Sequence, residues 1–229
     1  MTEPQFESKD LLLSSGFLAF ARHAGVLMAF EERGVAPAAL CGTSSGALVA
    51  ALWAAGLRGE RLTAILASRP PWRLLRPSAA PWRGLLSMSG LGEFLRPHLP
   101  EQFADLPMPL AVGVVQDKQH RLLTTGPLLP AVLASCAMPY VFHPVEFQDA
   151  WCQDGGAADR LGLQAWRQWR PGRQAWAHQV ARTAGVDVQS DLSGITLIST
   201  PRSGANFFSL GDFAGQVGEA KAIALQALK

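Results

Sequence analysis

Gly42-Thr43-Ser44-Ser45-Gly46 is a G-x-S-x-G set between an apolar run and a small-residue segment of helical character. Glycines on both sides of a serine let a strand turn sharply into a helix. That turn lifts the serine hydroxyl out at the strand's end and gathers backbone N–H groups at the same point. Its place in the chain limits the fold further. Only 43 residues precede Ser44, room for little more than a strand and a helix. Topologies in which such a turn follows a central strand with several strands ahead of it are therefore excluded.

The flanking sequence fits that limit. Leu11-Leu12-Leu13 reads as a buried strand running into Ser14-Ser15-Gly16. Residues 17–33 turn helical, with Gly34 as the stop, and residues 35–41 form a second short strand. After the G-x-S-x-G turn comes a helix over 47–55, closed by Gly56. Strand, loop, helix, strand, turn, helix is how a parallel α/β sheet begins. Residues 57–107 are less regular. Arg69-Pro70-Pro71-Trp72-Arg73 and Pro81-Trp82-Arg83-Gly84 punctuate short helices there, read as a lid or cap segment over the site. Further on, the pattern predicts a strand over 109–115 paired with 121–125, a helix over 128–135, and extended stretches over 140–147 and 150–152. It also predicts a helical segment over 163–183 broken at Pro171-Gly172, a last strand over 195–200, and a closing helix over 214–228. With 229 residues, 48% hydrophobic and 17% charged, the chain reads as one globular domain spanning 1–229. The expected architecture is a three-layer α/β/α fold with a mainly parallel central sheet.

Composition narrows the partners. A net charge of +2 with no lysine block argues against a nucleic-acid partner. Cys41, Cys136 and Cys152 are odd in number and scattered, with no zinc spacing, and read as free thiols of a reducing compartment. MTEPQFESKD lacks the basic region of a signal peptide, and Ser14, Ser15, Gly16, Arg22 and His23 interrupt the apolar stretch 11–30. A cytoplasmic protein without a membrane span is the resulting expectation.

Ser44 needs a proton acceptor if it is to attack anything. Ser44, Asp154 and His178 satisfy the Ser–Asp–His order of one hydrolase class, but the topology of that class is excluded above, and His178 falls in a segment read as a polar surface helix. The better partner is Asp154, in Gln153-Asp154-Gly155-Gly156 after an extended run. The two glycines permit a tight turn that holds the carboxylate at a strand end, where it can accept the serine's proton.

Four blocks together resemble the patatin-like phospholipase family, lipid acyl hydrolases that use a Ser–Asp dyad. They are His23-Ala24-Gly25-Val26-Leu27 with Phe30-Glu31-Glu32-Arg33-Gly34; Cys41 through Leu48; Ala134-Ser135-Cys136-Ala137-Met138-Pro139-Tyr140-Val141-Phe142-His143-Pro144-Val145; and Asp154-Gly155-Gly156. Their order and spacing cover about residues 11–160. The resemblance implies Ser44 as nucleophile, Asp154 as general base, Gly42, Gly46, Gly155 and Gly156 as motif glycines, and ester hydrolysis through an acyl-enzyme with no metal or organic cofactor. In the same block Pro139 and Phe142 read as wall-forming residues and His143 as structural.

The chain departs from the family at the oxyanion loop. A run of glycines followed by a basic residue and another glycine is usual, whereas this chain has Ser14-Ser15-Gly16-Phe17-Leu18-Ala19-Phe20. Backbone N–H groups can still serve there, and Gly16 and Phe17, with Ser15, are the expected donors; Arg22 is considered as a stand-in cation. The departure keeps a catalytically weak or inactive lipid-binding homologue in view. A thioesterase or short-chain esterase using the same dyad is the other alternative. Seven Trp against one Tyr is an unusual ratio. Trp72, Trp82, Trp166, Trp169 and Trp176 lie in Pro-, Arg- and Gln-rich surroundings, a composition suited to peripheral contact with a lipid surface. The alternative reading of the same segments is that the Trp rings pack under loops with Arg stems covering them. The expected partner is a lipid or acyl-ester substrate, with peripheral membrane contact through these Trp/Arg segments as one of the two readings.

Overall fold

The structure is a computed structural model that describes residues 9–182 and 191–228. Strands β1 (Asp10–Leu13) and β2 (Leu40–Thr43) are buried at every residue. Parallel strands covered on both faces take continuous apolar runs rather than alternating ones, which Leu11-Leu12-Leu13 and Leu40-Cys41 supply. Between them runs α1 (Phe20–Glu32), and after β2 comes α2 (Ser45–Ala54). All ten residues of α2 are buried, as a helix apolar on every side requires. Next come α3 (Gly59–Ala67), a short ribbon of β3 (Arg76–Pro77) and β4 (Leu86–Ser87), and α4 (Ser89–Leu95).

The rest of the chain completes the sheet with β5 (Leu110–Gln116), β6 (Gln119–Leu123), β7 (Val145–Phe147), β8 (Ala150–Asp154), β9 (Ala175–Val180) and β10 (Ile195–Thr200). Helices α5 (Leu128–Cys136), α6 (Leu163–Trp169) and α7 (Phe213–Ala227) cover it. Among the described residues the strand order is β10-β9-β1-β2-β5-β8-β7, with β6 also paired to β5. Pairing is parallel from β10 through β5, then antiparallel where β8 and β6 meet β5 and where β7 meets β8. Leu11, Leu13, Leu27, Phe30, Leu48, Leu52 and Val112 form the main core on one face. On the other, Leu12, Cys41, Ala111, Ala175 and Ala177 pack against Leu163 and Trp166 of α6. The mixed α/β fold with a mainly parallel central sheet is as expected.

Residues 163–182 correct the sequence reading; Thr183 lies outside the described residues. Helix α6 ends at Trp169, Gly172 takes φ 76°, and the chain returns as β9 between β1 and β10. Pro171-Gly172 terminates the helix instead of kinking it, and small Ala175 and Ala177 pack in one cluster with Trp166. Three of the tryptophans are thereby taken out of contention as surface groups. Trp166 is buried and donates its indole N–H to Asp10 Oδ2 at 3.0 Å. Trp176 packs edge-on against Phe30, with ring centroids 5.1 Å apart. Trp169 is half-buried beneath the Arg170 guanidinium. Arg170 also pairs with the buried Asp10 carboxylate through bonds of 3.0 and 3.2 Å. Of the five, Trp72 and Trp82 remain well exposed.

Smaller differences bear on the site. Helix α1 begins at Phe20 rather than residue 17, because residues 16–19 form a turn closed by the Ala19 N–H on the Gly16 carbonyl at 3.3 Å. Gly16 and Phe17 are thus loop residues. β2 starts at Leu40, well after Pro37, which cannot donate to a ladder. Tyr140 sits at φ 68° in a turn, so only Val145–Phe147 of the predicted extended stretch is strand.

Candidate active site

Ser44 follows the C-terminal end of β2 with φ 55° and ψ −122°, a combination that L-residues avoid. Close backbone contact on both sides holds it there. A Cβ on Gly46 would lie 2.3 Å from the Leu13 carbonyl oxygen, and one on Gly42 would lie 2.6 Å from Ala47 Cα. Only glycine permits that approach of helix to strand. The Ser44 N–H donates to Ser135 Oγ at 2.8 Å, and the Ser135 hydroxyl in turn donates to the Gly113 carbonyl at 2.6 Å. On the other side of the residue, the Ser44 carbonyl accepts from the Leu48 N–H at 3.1 Å and from Cys136 Sγ at 3.3 Å.

Asp154 arrives from β8, which runs antiparallel to β5 with Val114 opposite Asp154. Gly155 lets the chain turn there, since a Cβ would sit 2.6 Å from the Gly113 carbonyl. The Asp154 carboxylate accepts the Ser44 hydroxyl through Oδ2 at 2.6 Å and the Gly156 N–H through Oδ1 at 2.8 Å. Burial pushes its pKa up to about 6, against the opposing pull of those two hydrogen bonds. Near neutrality it is therefore mostly a carboxylate, yet basic enough to take a proton.

The loop after β1 completes one wall. Ser15, Gly16 and Phe17 line the same cavity as Ser44 and Asp154. Among the described residues no backbone carbonyl accepts the Gly16 or Phe17 N–H. The Ser15 N–H, by contrast, donates to the Arg160 carbonyl at 2.8 Å, which removes it from the three donors read from sequence. Arg22 is also corrected. It is buried on α1 and reaches α7, pairing with Glu219 at 2.5 Å and with the Gln216 carbonyl at 3.4 Å. Among the described residues Arg160 is a cation bonded to the loop, through the Ser15 carbonyl at 2.8 Å, and sequence reasoning does not single it out.

His178 lies on β9 and is fully buried, not on a surface helix. Its Nδ1 stands 2.8 Å from Nδ1 of His23, and its Nε2 stands 2.8 Å from Thr200 Oγ1. Nε2 of His23 is 3.3 Å from Ser45 Oγ. Burial lowers the pKa of His23 to about 3 and that of His178 well below the usual range, so both rings are neutral. One proton sits between the two Nδ1 atoms, and the rings must take opposite tautomers. The pair bonds to Ser45 and Thr200, whereas the Ser44 hydroxyl donates to Asp154.

Ser44 opens on a cavity of about 400 Å³. Leu66, Pro71, Leu74, Leu75, Met88, Leu91 and Phe94 from residues 57–107 form much of its wall, with Phe17, Leu48, Pro139, Phe142 and Phe207 opposite. Its size and apolar lining are those of a site for an apolar ligand. His143 stacks edge-on against Trp151 at 5.4 Å, a packing role.

Ser44 thus sits at a strained strand-to-helix turn, hydrogen-bonded to a carboxylate over an apolar cavity. Residues 11–165 match the patatin-like phospholipase family, and the chain belongs to it. Among the proteins it resembles are uncharacterized NTE family proteins of Mycobacterium bovis (Mb1092c) and Mycobacterium tuberculosis (Rv1063c), each 33% identical over 159 residues. The match takes in 67% of this chain and 44% of each relative, so the chain spans less than half the length of these proteins. Among solved structures the fold is similar to that of VipD from Legionella pneumophila, with a TM-score of 0.58 and 15% identity over 97% of this chain and 67% of that one. It is also similar to the type III effector protein ExoU, with a TM-score of 0.51 and 14% identity over 96% of this chain and 52% of that one.

Ser135 is the side chain on which the strained turn leans, and Ser135→Ala leaves the part-buried Ser44 N–H without its acceptor. It should lower stability by about 1 kcal/mol, read as a reduced midpoint in urea unfolding followed by tryptophan fluorescence.

Proposed function

We propose that this protein is a lipid acyl hydrolase that cleaves carboxylic esters, of phospholipase A or esterase type, with Ser44 as nucleophile and Asp154 as general base. The observation that carries the reading is the 2.6 Å hydrogen bond from Ser44 Oγ to Asp154 Oδ2, made at a strained turn that opens on an apolar cavity. Ser44 Oγ attacks the ester carbonyl carbon while its proton passes to Asp154. The oxyanion that forms is met by the N–H groups of Gly16 and Phe17. Collapse breaks the bond to the alcohol, which leaves with the proton held by Asp154, and the acyl group stays on Ser44. Asp154 then takes a proton from water as it attacks the acyl-enzyme carbonyl, and passes that proton to Ser44 Oγ as the bond between Oγ and the acyl carbon breaks, which frees the acid and restores both the serine and the carboxylate.

A thioesterase or a short-chain esterase would use the same two residues. The depth of apolar wall around Ser44 favours a lipid acyl chain. Contact with the lipid aggregate is assigned to the segment that walls the cavity. Trp72 is 48% and Trp82 82% exposed. Residues 69–96 carry Arg69, Arg73, Arg76, Arg83 and Arg96 against a single carboxylate, Glu93. Exposed indoles beside guanidinium groups suit the boundary between acyl chains and phosphate. Among the described residues no helix is long and apolar enough to cross a membrane, so the contact proposed is peripheral.

On a panel of p-nitrophenyl esters and phospholipids, Ser44→Ala and Asp154→Asn should each lower turnover by about 10⁴-fold without loss of fold; activity surviving Ser44→Ala overturns the mechanism. Because the base must be ionised, and its pKa is raised to about 6, kcat/KM should be level above that pH and fall as pH drops through it. A profile flat down to pH 4 contradicts Asp154 as base. Replacing Trp72 and Trp82 together by Ala should depress hydrolysis of vesicle phospholipid more than that of a soluble short-chain ester. Equal loss on both removes the surface-contact assignment.

A further inference from the structure

Residues 14–20 carry no basic side chain, although an oxyanion gains most from donors held rigidly near positive charge. Arg160 supplies both from outside the loop. It lies six residues beyond Asp154 in the turn leading to α6. Its Nη2 donates to the Ser15 carbonyl at 2.8 Å and to the Val180 carbonyl at 2.6 Å, and its Nε donates to Ser15 Oγ at 3.3 Å. In return the Arg160 carbonyl accepts the Ser15 N–H at 2.8 Å. Ser15 is thus gripped at its N–H, its carbonyl and its hydroxyl by one residue.

Two further bonds tighten the arrangement. Val180 N–H donates to Ser14 Oγ at 3.1 Å, tying the loop to the end of β9 that Arg160 also holds. Gly156 carries no side chain where Ser15 packs: a Cβ there would lie 2.5 Å from Ser15 Oγ. The Ser15 hydroxyl therefore fits between Arg160 and the turn that fixes Asp154. With the Ser15 peptide fixed on both sides and the Gly16 carbonyl turned onto Ala19, the orientation of the next two N–H groups is set as well.

We propose that Arg160, locked to Ser15, is the positioning residue of the oxyanion loop: its guanidinium holds Gly16 and Phe17 with their N–H groups toward the Ser44 side of the cavity and supplies the loop's positive charge. The inference rests on the reading of Ser44 and Asp154 as the reacting pair. Arg160 is not itself assigned a bond to substrate. A planar fork that reaches two carbonyls and a hydroxyl is specific to Arg, because the Lys ammonium is a compact charge on a flexible stem.

The test compares wild type, Ser44→Ala, Arg160→Gln, Arg160→Lys and Arg160→Ala on p-nitrophenyl butyrate, together with amide hydrogen exchange of the peptides covering residues 14–20. Loss of a transition-state interaction lowers kcat and leaves KM in place. Arg160→Gln should therefore lose about 10²-fold in kcat at unchanged KM. Arg160→Lys should recover part of the loss, and added guanidinium ion should raise the rate of Arg160→Ala. Exchange in the loop peptides should quicken in Arg160→Gln and Arg160→Ala while peptides of α2 keep their protection. Unchanged kcat in Arg160→Gln with turnover still lost in Ser44→Ala overturns the Arg160 assignment and leaves the dyad standing. Unchanged loop exchange overturns it whatever the turnover. Turnover persisting in Ser44→Ala overturns the dyad reading and the assignment with it.

Discussion

Ser44 holds a backbone conformation that costs about 1–3 kcal/mol, and much of the architecture exists to keep it there. Helix α2 must lie against the end of β1 for Gly46 to touch the Leu13 carbonyl. That position requires a helix of small and apolar residues buried on every side. Helix α5 must lie close enough for Ser135 to accept the Ser44 N–H. Strand β5 carries a glycine at 113, where a Cβ would lie 2.6 Å from Thr43 Oγ1, and its carbonyl accepts the Ser135 hydroxyl while Gly155 packs against it. The same contacts that strain the serine bring Asp154 across β5 to meet it. Strain at one residue and the approach of its partner have a common cause.

Charge near the site follows the same economy. A carboxylate that is only 8% exposed is costly to ionise, and two hydrogen bonds on its oxygens bring its pKa back only to about 6. In the proposed reaction, a carboxylate of that basicity suits turnover near neutral pH without a histidine between it and the serine. The two buried histidines are neutral and face one another. Their contribution is to fill a polar gap between α1, β9 and β10 with satisfied hydrogen bonds. Placing a charged ring there would be unfavourable, which separates this site from one built on a Ser–Asp–His relay.

What could be read from the sequence was local. The G-x-S-x-G turn, the Leu11-Leu12-Leu13 strand and the Asp154-Gly155-Gly156 turn announce themselves through glycine placement and short apolar runs, and the structure has them within a few residues. Failures came where distant contacts decide. Residues 175–180 look polar and helical because Trp176, His178 and Gln179 mask a strand whose inward face is two alanines. The alternation Ala-Trp-Ala after Pro171-Gly172 was the available signal. Arg160 resembles any surface arginine until the fold brings Ser15 to it; the only hint was a serine where the loop was expected to hold glycine. Of the two readings of the Trp/Arg pairings, surface contact or packing, Trp166, Trp169 and Trp176 follow the second, around the buried Asp10 and α1. Long side chains cover apolar rings in the core as readily as at an interface.

The proposed reaction passes a covalent acyl group through Ser44. Mixing the protein with excess p-nitrophenyl ester, quenching in acid within the first turnovers and mapping peptide masses measures this directly. The expected result is one acyl mass on the peptide containing Ser44, formed with a burst of p-nitrophenol and absent in Ser44→Ala. Hydrolysis at the same rate with no adduct under these conditions, or an adduct on another residue, would contradict it.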